Sequence, residues 1–363
     1  MTPMIMKKTF LYLSLAALVL AGCAKTPKVG VNDATKRYLD AWIQVNHPDA
    51  VRTTLGAYVL EDKPGTGVSA SSGEAYPYVR VDYTIRSLSG TVQATTDEAL
   101  SKQLGTYTTN KSKNPYYGPV VWYRGNNNLV AGVEELISTM NVGGRRTVVM
   151  PGWLTGVESS SSAAIRYDTA EEYLAKVSGS DPLIYEVALT DVISDIQKWQ
   201  IDSVGRYVAD KFGKTAADST KYGLYYFRTG APSSEKTFPN DTTIYINYIG
   251  RRLDGTVFDT SIADTAKYYG IYSASRTYGA CKITWYSSEK DYTSITMTSS
   301  GSSSGSTVVN GFSCGLDQMH PHEKGSVIFI SNWGYGASGS GTAIPAYSPL
   351  RFDFEIVDKP ADE

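Results

Sequence analysis

Three sequence blocks near the C-terminus hold aromatic side chains close to hydroxyl and carboxylate groups. They are residues 248–261 (YIGRRLDGTVFDTS), 308–319 (VVNGFSCGLDQM) and 333–356, which includes GYG, IP and LRFDF. A dry box of aromatic rings with one or two hydrogen-bonding groups favours a twisted amide, because its C–N dipole is smaller than that of the planar form. Such a box could lower the barrier to amide rotation, roughly 18–20 kcal/mol, without a metal or a nucleophile.

Other kinds of site find little support in the sequence. His320-Pro321-His322 is not part of a ligand pattern at metal-site spacing, so we expect a surface turn there. The glycine-rich runs lack the lysine of a phosphate-binding loop. The net charge is −2 and no basic block occurs, which argues against nucleic acid as a partner. We therefore expect no cofactor, no metal and no nucleic acid.

The N-terminus has the pattern of an export signal. Lys7-Lys8 precede an apolar stretch over residues 10–21, which is too short to span a bilayer as a helix. Leu20-Ala21-Gly22-Cys23 then fits a lipoprotein cleavage site with the lipid on Cys23, although an ordinary secretory signal with a chance cysteine is the alternative. We predict a signal peptide over residues 1–22 and a lipid-anchored cell envelope protein, in the outer membrane and on an undecided face.

The elements that must position the three blocks can be predicted from hydrophobic periodicity. Alternation of apolar and polar residues predicts a strand at 78–85, and further strands are predicted at 145–151 and 183–193. Asn32 is expected to cap a helix that ends near Val45, before Pro48.

An amphipathic helix is predicted from residue 194 to residue 212, with Gly213 as its stop. The order strand, turn, strand, helix, strand, strand is found on both sides of it. The predicted organisation is therefore a tether and N-terminal helix (23–49), a first domain (50–193), a linker helix (194–221) and a second domain (222–358).

In this order, the three blocks resemble the FKBP-type peptidyl-prolyl cis-trans isomerase domain. The resemblance implies an α+β fold with two FKBP-like domains, each an antiparallel β-sheet wrapped around a short helix, joined by the amphipathic helix. It implies that Xaa-Pro segments of unfolded or exported proteins are the substrates. It also implies a set of site residues, namely Tyr248, Phe258 and Phe352 as walls, Asp259 as a polar wall, Val308 and Val309 at the rim and base, Phe312 as the floor, Tyr335, and Ile344 as a cover.

The roles of several of these residues follow from the same resemblance. The backbone of Val309 and the hydroxyl of Tyr335 would bond a substrate carbonyl. Phe312 stands where the best-known members have Trp, so a smaller floor is expected to weaken binding of large macrocyclic ligands more than turnover. The helix over Val309–Met319 should pack closely against the sheet, because Gly311 and Gly315 lack a Cβ.

The first domain keeps the order of strands and helix in this pattern but lacks most of the site residues. Tyr83 matches the first wall, but Val133 stands at the floor position and Gln93-Ala94 replaces the Phe-Asp pair. Thr155 falls where the second domain has Tyr335. We expect a domain without isomerase activity, and a divergent active site with unfamiliar residues is the alternative.

The second domain contains an insertion at residues 262–307, rich in Tyr, Ser and Thr. Its run 298–306 (TSSGSSSGS) is predicted to be a flexible loop. Cys281 in the insertion and Cys314 on the predicted helix could form a disulfide in an exported protein, or could be two buried thiols.

Two other functions remain open at the level of sequence. The chain could be a non-catalytic chaperone that holds extended segments. It could also be a surface lipoprotein that binds glycans through the tyrosine-rich insertion, since 27 of the 363 residues are tyrosine. The presence of Phe258, Asp259 and Tyr335 together favours the isomerase.

Overall fold

The computed structural model describes residues 30–107, 115–215, 219–239, 241–285 and 295–361. The predicted signal peptide, the lipid site at Cys23 and most of the tether lie outside these ranges. Within them, no helix is both long enough and apolar enough to cross a membrane.

The first domain is built on a sheet whose strands all pair antiparallel. The strands are β1 (Val51–Arg52), β2 (Tyr58–Lys63), β3 (Tyr78–Ser87), β4 (Val92–Thr95), β5 (Val120–Tyr123), β6 (Arg145–Met150) and β7 (Leu183–Ile193). Their order is β1-β2-β6-β7-β3-β4, and β5 also pairs with β3. The predicted alternation is seen on β3, where Val79 and Val81 are buried and the residues beside them are partly exposed.

Short helices cover this sheet. They are α1 (Asp33–Asn46), α2 (Glu98–Gln103), α3 (Ala131–Ser138) and α4 (Ala170–Lys176), with 3-10 turns at Gly125–Asn127 and Gly152–Thr155. Helix α3 buries Val133, Leu136 and Ile137 in the same core as Val148 and Val149 of β6. The first domain therefore has one hydrophobic core between its sheet and α3.

The prediction that Asn32 caps the first helix is wrong. Helix α1 does begin after it, but the Asn32 side chain makes no capping bond. Its Nδ2 instead donates to the carbonyl oxygens of Leu174 (2.8 Å) and Val177 (2.6 Å), and its Oδ1 accepts from Gly179 N (3.1 Å). This buried amide ties the start of α1 to the end of α4, so α1 belongs to the first domain.

The amphipathic helix between the domains, α5 (Ile196–Phe212), begins two residues after its predicted start and ends where predicted. Asp195 accepts hydrogen bonds from Gln197 N and Lys198 N, and Gly213 adopts the left-handed conformation that ends the helix. Its apolar side packs on the second domain, in a cluster of Val204, Val208, Tyr225, Phe227, Ile328 and Ile330. Helix α5 is therefore part of the second domain's structure as well as a connection.

The second domain also has an antiparallel sheet. Its strands are β8 (Leu224–Gly230), β9 (Thr243–Arg252), β10 (Val257–Thr260), β11 (Cys281–Trp285), β12 (Ile295–Thr298), β13 (Ser306–Thr307), β14 (Lys324–Phe329) and β15 (Leu350–Val357). The order is β13-β12-β11-β9-β15-β14-β8, and β10 pairs with β9. Helices α6 (Ala263–Tyr268) and α7 (Asn310–Asp317) and a 3-10 turn at Ser331–Trp333 complete it.

The two sheets share one connectivity. The order β2-β6-β7-β3 in the first domain corresponds to β8-β14-β15-β9 in the second, and in each a short helix directly precedes the second strand of the series. The predicted α+β class, with antiparallel sheets packed on short helices, is confirmed.

The insertion has more structure than a loop. It contributes α6, β11 and the hairpin of β12 and β13, which extends the sheet beyond β11. The serine-rich run forms the turn of that hairpin. Cys281 and Cys314 are buried and are not joined by a disulfide.

A methyl group added at Gly311 of α7 should cost stability, whereas one at Gly205 of α5 should not. A Cβ at Gly311 would lie 2.5 Å from the buried ring of Phe329. We expect Gly311→Ala to lower the free energy of unfolding by about 1–3 kcal/mol through overpacking. Within the described part of the chain nothing lies within 4 Å of a Cβ at Gly205, so Gly205→Ala should add about 0.5–1 kcal/mol. Urea unfolding measures both, and equal effects would contradict this packing.

Candidate functional site

Four aromatic rings from separate elements meet in the core of the second domain. Tyr248 lies on β9, Phe258 on β10, Phe312 on α7 and Phe352 on β15. The ring centroids are 5.1 Å apart for Phe312 and Phe352, 5.7 Å for Phe258 and Phe352, and 5.8 Å for Tyr248 and Phe312. All three pairs are edge-to-face, an arrangement that aromatic quadrupoles favour. The structure thus brings together the walls and floor that the sequence placed in three different blocks.

A glycine allows these rings to approach each other. Gly250 pairs with Phe352 across β9 and β15. A Cβ on Gly250 would lie 2.8 Å from the Phe258 ring and 2.9 Å from the Phe352 ring, closer than atoms can pack. The glycine of the Tyr-Ile-Gly block is therefore required by the site, a role that sequence reasoning did not assign to it.

A charged pair is attached to one edge of the aromatic cluster. The Tyr248 hydroxyl donates to Asp259 Oδ2 at 2.8 Å. The Arg276 guanidinium donates to Asp259 Oδ1 and, at 3.1 Å, to the Tyr248 oxygen. Burial and the Asp259 charge raise the pKa of Tyr248 well above its ordinary value, so this hydroxyl stays protonated and donates.

Arg276 is the functional residue that sequence reasoning missed. Burial opposes its charge, but Asp259 and Tyr248 outweigh burial and raise the pKa of the guanidinium. Arg276 lies 17 residues beyond Asp259, inside the segment interpreted as an insertion, and no motif surrounds it. Only the fold of that segment brings it back to the site.

The remaining predicted residues surround the cluster with different exposure. Ile344 is buried within it, and Val308 and Val309 are partly exposed and pack against it. Tyr335 is 37% exposed. Burial and the charge of Asp259 raise the pKa of Tyr335, which places this hydroxyl in the field of the carboxylate.

Two hydrogen-bond donors at the edge of the cluster are available. Among the residues that the structure describes, neither the Tyr335 hydroxyl nor the Val309 backbone N–H has an acceptor. Val309 directly precedes α7 in an extended conformation, and its carbonyl accepts from Phe312 N and Ser313 N. The site therefore combines a buried apolar interior with donors that solvent or a ligand can reach.

The site has no group suited to metal or nucleophilic chemistry in the described part of the chain. No three His, Cys, Asp or Glu side chains there are arranged to hold a metal ion. Burial raises the pKa of Cys314 to about 11, so it is a thiol at neutral pH. His320 lies in a turn and contacts Glu323, at 2.9 Å from Nδ1 to Oε2.

The first domain repeats one detail of this site and lacks the rest. Tyr83 N donates to the Thr96 hydroxyl at 2.9 Å, as Tyr248 N does to the Ser261 hydroxyl at 3.0 Å. The Tyr83 ring packs instead on Trp122, with centroids 5.3 Å apart. Of the positions predicted to have lost their chemistry, Val133 is buried, Gln93 is exposed and Thr155 is partly exposed.

The fold and site define the second domain as an α+β unit with an aromatic site between sheet and helix. Residues 286–357 match the model of the FKBP-type peptidyl-prolyl cis-trans isomerase family. The C-terminal part of the chain is therefore similar to this family. The matched range includes Val308, Val309, Phe312, Tyr335, Ile344 and Phe352, and it begins after Tyr248, Phe258 and Asp259.

Three known proteins are similar to parts of this chain in sequence or in structure. The macrophage infectivity potentiator of Trypanosoma cruzi is 26% identical over 155 residues, which are 42% of this chain and 62% of that protein. The structure of the three FKBP domains of wheat FKBP73 is 13% identical, with a TM-score of 0.28, over 83% of this chain and 94% of that one. FkpA from Escherichia coli is 24% identical, with a TM-score of 0.28, over 46% and 63% of the two chains.

Proposed function

We propose that this protein is a peptidyl-prolyl cis-trans isomerase whose active site lies in the second domain. One observation carries the proposal. Phe258, Phe312 and Phe352 come from distant sequence blocks and form one buried cluster, with the Tyr248–Asp259–Arg276 network at its edge. The family match of the C-terminal residues supports the same function.

The geometry supports catalysis by environment rather than by a covalent step. Rings that exclude water weaken the preference for the planar, more polar amide, and hydrogen bonds that form only in the twisted state lower the barrier further. The Tyr335 hydroxyl and the Val309 N–H are the two donors placed to make such bonds with a substrate carbonyl. Asp259 is held by Arg276, so its charge adds to a fixed polar wall beside the rings.

We further propose that the protein assists the folding of exported proteins at the cell envelope. The proposal depends on the lipoprotein signal that ends at Cys23 and on the general occurrence of Xaa-Pro bonds in unfolded chains, where isomerisation is slow. The lipid would hold the protein at a membrane, which we propose to be the outer membrane.

The first domain, in this proposal, is an FKBP-like unit without activity. Its strand order matches that of the second domain, and its counterpart of the site lacks the ring cluster, the Phe-Asp pair and the tyrosine of Gly-Tyr-Gly. If the whole chain proves inactive, holding of extended segments becomes the better account of both domains.

Substitution of the two polar site residues tests the proposed function. In a chymotrypsin-coupled assay of an Xaa-Pro peptide, Tyr335→Phe should lower kcat/KM about fivefold, since it removes one hydrogen bond of about 1 kcal/mol. Asp259→Ala should lower kcat/KM at least as much, with the circular dichroism spectrum retained. Tyr83→Phe in the first domain is the matched control and should leave kcat/KM unchanged. Unchanged activity in both site variants would move the site elsewhere.

A further inference from the structure

The first domain contacts the loop of the second domain that carries part of the site. We call residues 340–349 the 340s loop. It contains Ile344 and follows Tyr335 by a few residues. Hydrogen bonds between Ser340 and Ile344 (2.7 and 3.2 Å) close the loop on itself, and its later part is tied to the domain body through Gly336. The loop's position therefore determines where Ile344 lies, and its bond to Gly336 reaches the residue that follows Tyr335.

One contact is made just before Ile344. The backbone N–H of Tyr116, in the first domain, donates to the carbonyl oxygen of Thr342 at 2.8 Å. The Tyr116 ring lies under the Arg252 guanidinium, at 5.2 Å from the ring centroid. Arg252 in turn donates from Nη1 to the carbonyl of Ala343 at 2.8 Å. Both residues that precede Ile344 are thus held, one directly by the first domain and one through Arg252.

A second contact is made at the other end of the loop. The Tyr347 ring packs edge-to-face on Tyr78 of β3, with centroids 5.3 Å apart. Tyr347 has φ of 59°, a left-handed conformation that is uncommon for a bulky residue and persists only where neighbours hold it. In this conformation its N–H donates to the Gly336 carbonyl at 2.8 Å, next to Tyr335.

We propose that the first domain is a brace for the active site, and that Tyr78 and Tyr116 are positioning residues that hold the 340s loop. The inference rests on the proposed function, because it assigns a consequence for catalysis to these contacts. It gives the inactive domain a role that needs no ligand of its own. One contact holds Thr342, two residues before Ile344, and the other holds Tyr347, whose N–H donates to the carbonyl of Gly336, the residue after Tyr335.

The test uses the full chain in detergent and compares Tyr78→Ala with Tyr185→Ala. Tyr185 is a half-buried tyrosine of the same domain, on β7, that packs in the first-domain core. For Tyr78→Ala we expect amide hydrogen exchange in residues 336–349 to become at least tenfold faster. We expect KM for the Xaa-Pro peptide to rise about fivefold with kcat nearly unchanged, because the loop contacts substrate. Tyr185→Ala should change neither.

A milder variant keeps the test decisive if Tyr78→Ala fails to fold. Tyr78→Leu keeps an apolar side chain on β3 and removes only the edge-to-face ring contact with Tyr347, and it should accelerate exchange in residues 336–349 by a smaller factor. The proposal that the first domain braces the loop is wrong if amide hydrogen exchange in residues 336–349 is unchanged in the Tyr78 variants. It is also wrong if exchange rises equally in Tyr185→Ala. A wild-type chain without isomerase activity would refute the proposed function, and the exchange comparison would still decide whether the first domain holds the loop.

Discussion

Replacement of Phe352 by alanine is expected to lower the free energy of unfolding by about 3–5 kcal/mol and to abolish measurable isomerase activity. Phe352 is 5% exposed and lies at the centre of the aromatic cluster. Its ring centroid is within 6.4 Å of five other rings, those of Tyr248, Phe258, Phe312, Phe329 and Phe354. Removal of the ring leaves a cavity among rigid neighbours that cannot collapse into it, and it removes a wall of the proposed site.

Guanidinium unfolding and the prolyl peptide assay measure the two effects separately. Phe238 is the matched control, since it is a phenylalanine of the same domain that only packs against this core from the outside and is half-buried. Phe238→Ala should cost clearly less stability and should keep activity. A loss below about 1 kcal/mol for Phe352→Ala would show that the ring is not in a well-packed interior.

The second large effect is expected at Glu323, which directly precedes β14. Its side chain is fully buried at the end of the sheet. The Tyr226 hydroxyl donates to Oε1, while His320 N (3.1 Å) and His320 Nδ1 (2.9 Å) contact Oε2. Arg228 Nε lies 3.2 Å from Oε1. Burial and the Glu323 charge raise the pKa of Tyr226 far above its ordinary value, so the phenol remains a donor.

We expect Glu323→Ala to lower the free energy of unfolding by about 3 kcal/mol, because buried donors lose their acceptor while the cavity stays polar. Thermal and urea unfolding measure the effect. The control is Glu235→Ala, which breaks an exposed ion pair to the same Arg228 and should leave the unfolding midpoint nearly unchanged. Equal effects of the two substitutions would mean that the buried network does not stabilise the sheet.

Much of the fold could be predicted because the signals are local. The alternation on β3 follows from side-chain periodicity, and the end of α5 follows from its terminating Gly213. The aromatic positions of the site could be predicted as a set because they fall in short, ordered blocks. Gly311 could be predicted to pack closely, since a glycine inside a helix lowers stability unless it allows a close approach to a neighbouring element.

The features that were missed depend on contacts between distant residues. Arg276 reaches Asp259 only through the folded insertion, and Asn32 finds its partners more than 140 residues away. Helix α5 was predicted as a linker, because its own periodicity shows an apolar side but not the surface that covers it. The strands β12 and β13 lie in a Ser- and Thr-rich segment where composition favoured a loop.

The packing of α5 changes how the two domains should be separated. A fragment that begins at residue 222 would expose Tyr225, Phe227, Ile328 and Ile330, which α5 covers. A fragment over 194–361 keeps this cover. The first domain, with α1 bound by Asn32, is best represented by residues 30–193.

Isomerisation of a short Xaa-Pro peptide by these two fragments tests the central claim most directly. Exchange NMR spectroscopy at low protein concentration measures the cis-trans rate without a coupling protease. We predict that residues 194–361 accelerate the cis-trans interconversion of the peptide, by a smaller factor than the full chain because the brace is lost. Residues 30–193 should leave the rate at the uncatalysed value. Equal acceleration by both fragments, or none by residues 194–361 while the fragment is folded, would contradict an active site built from Tyr248, Phe258, Asp259, Phe312, Tyr335 and Phe352.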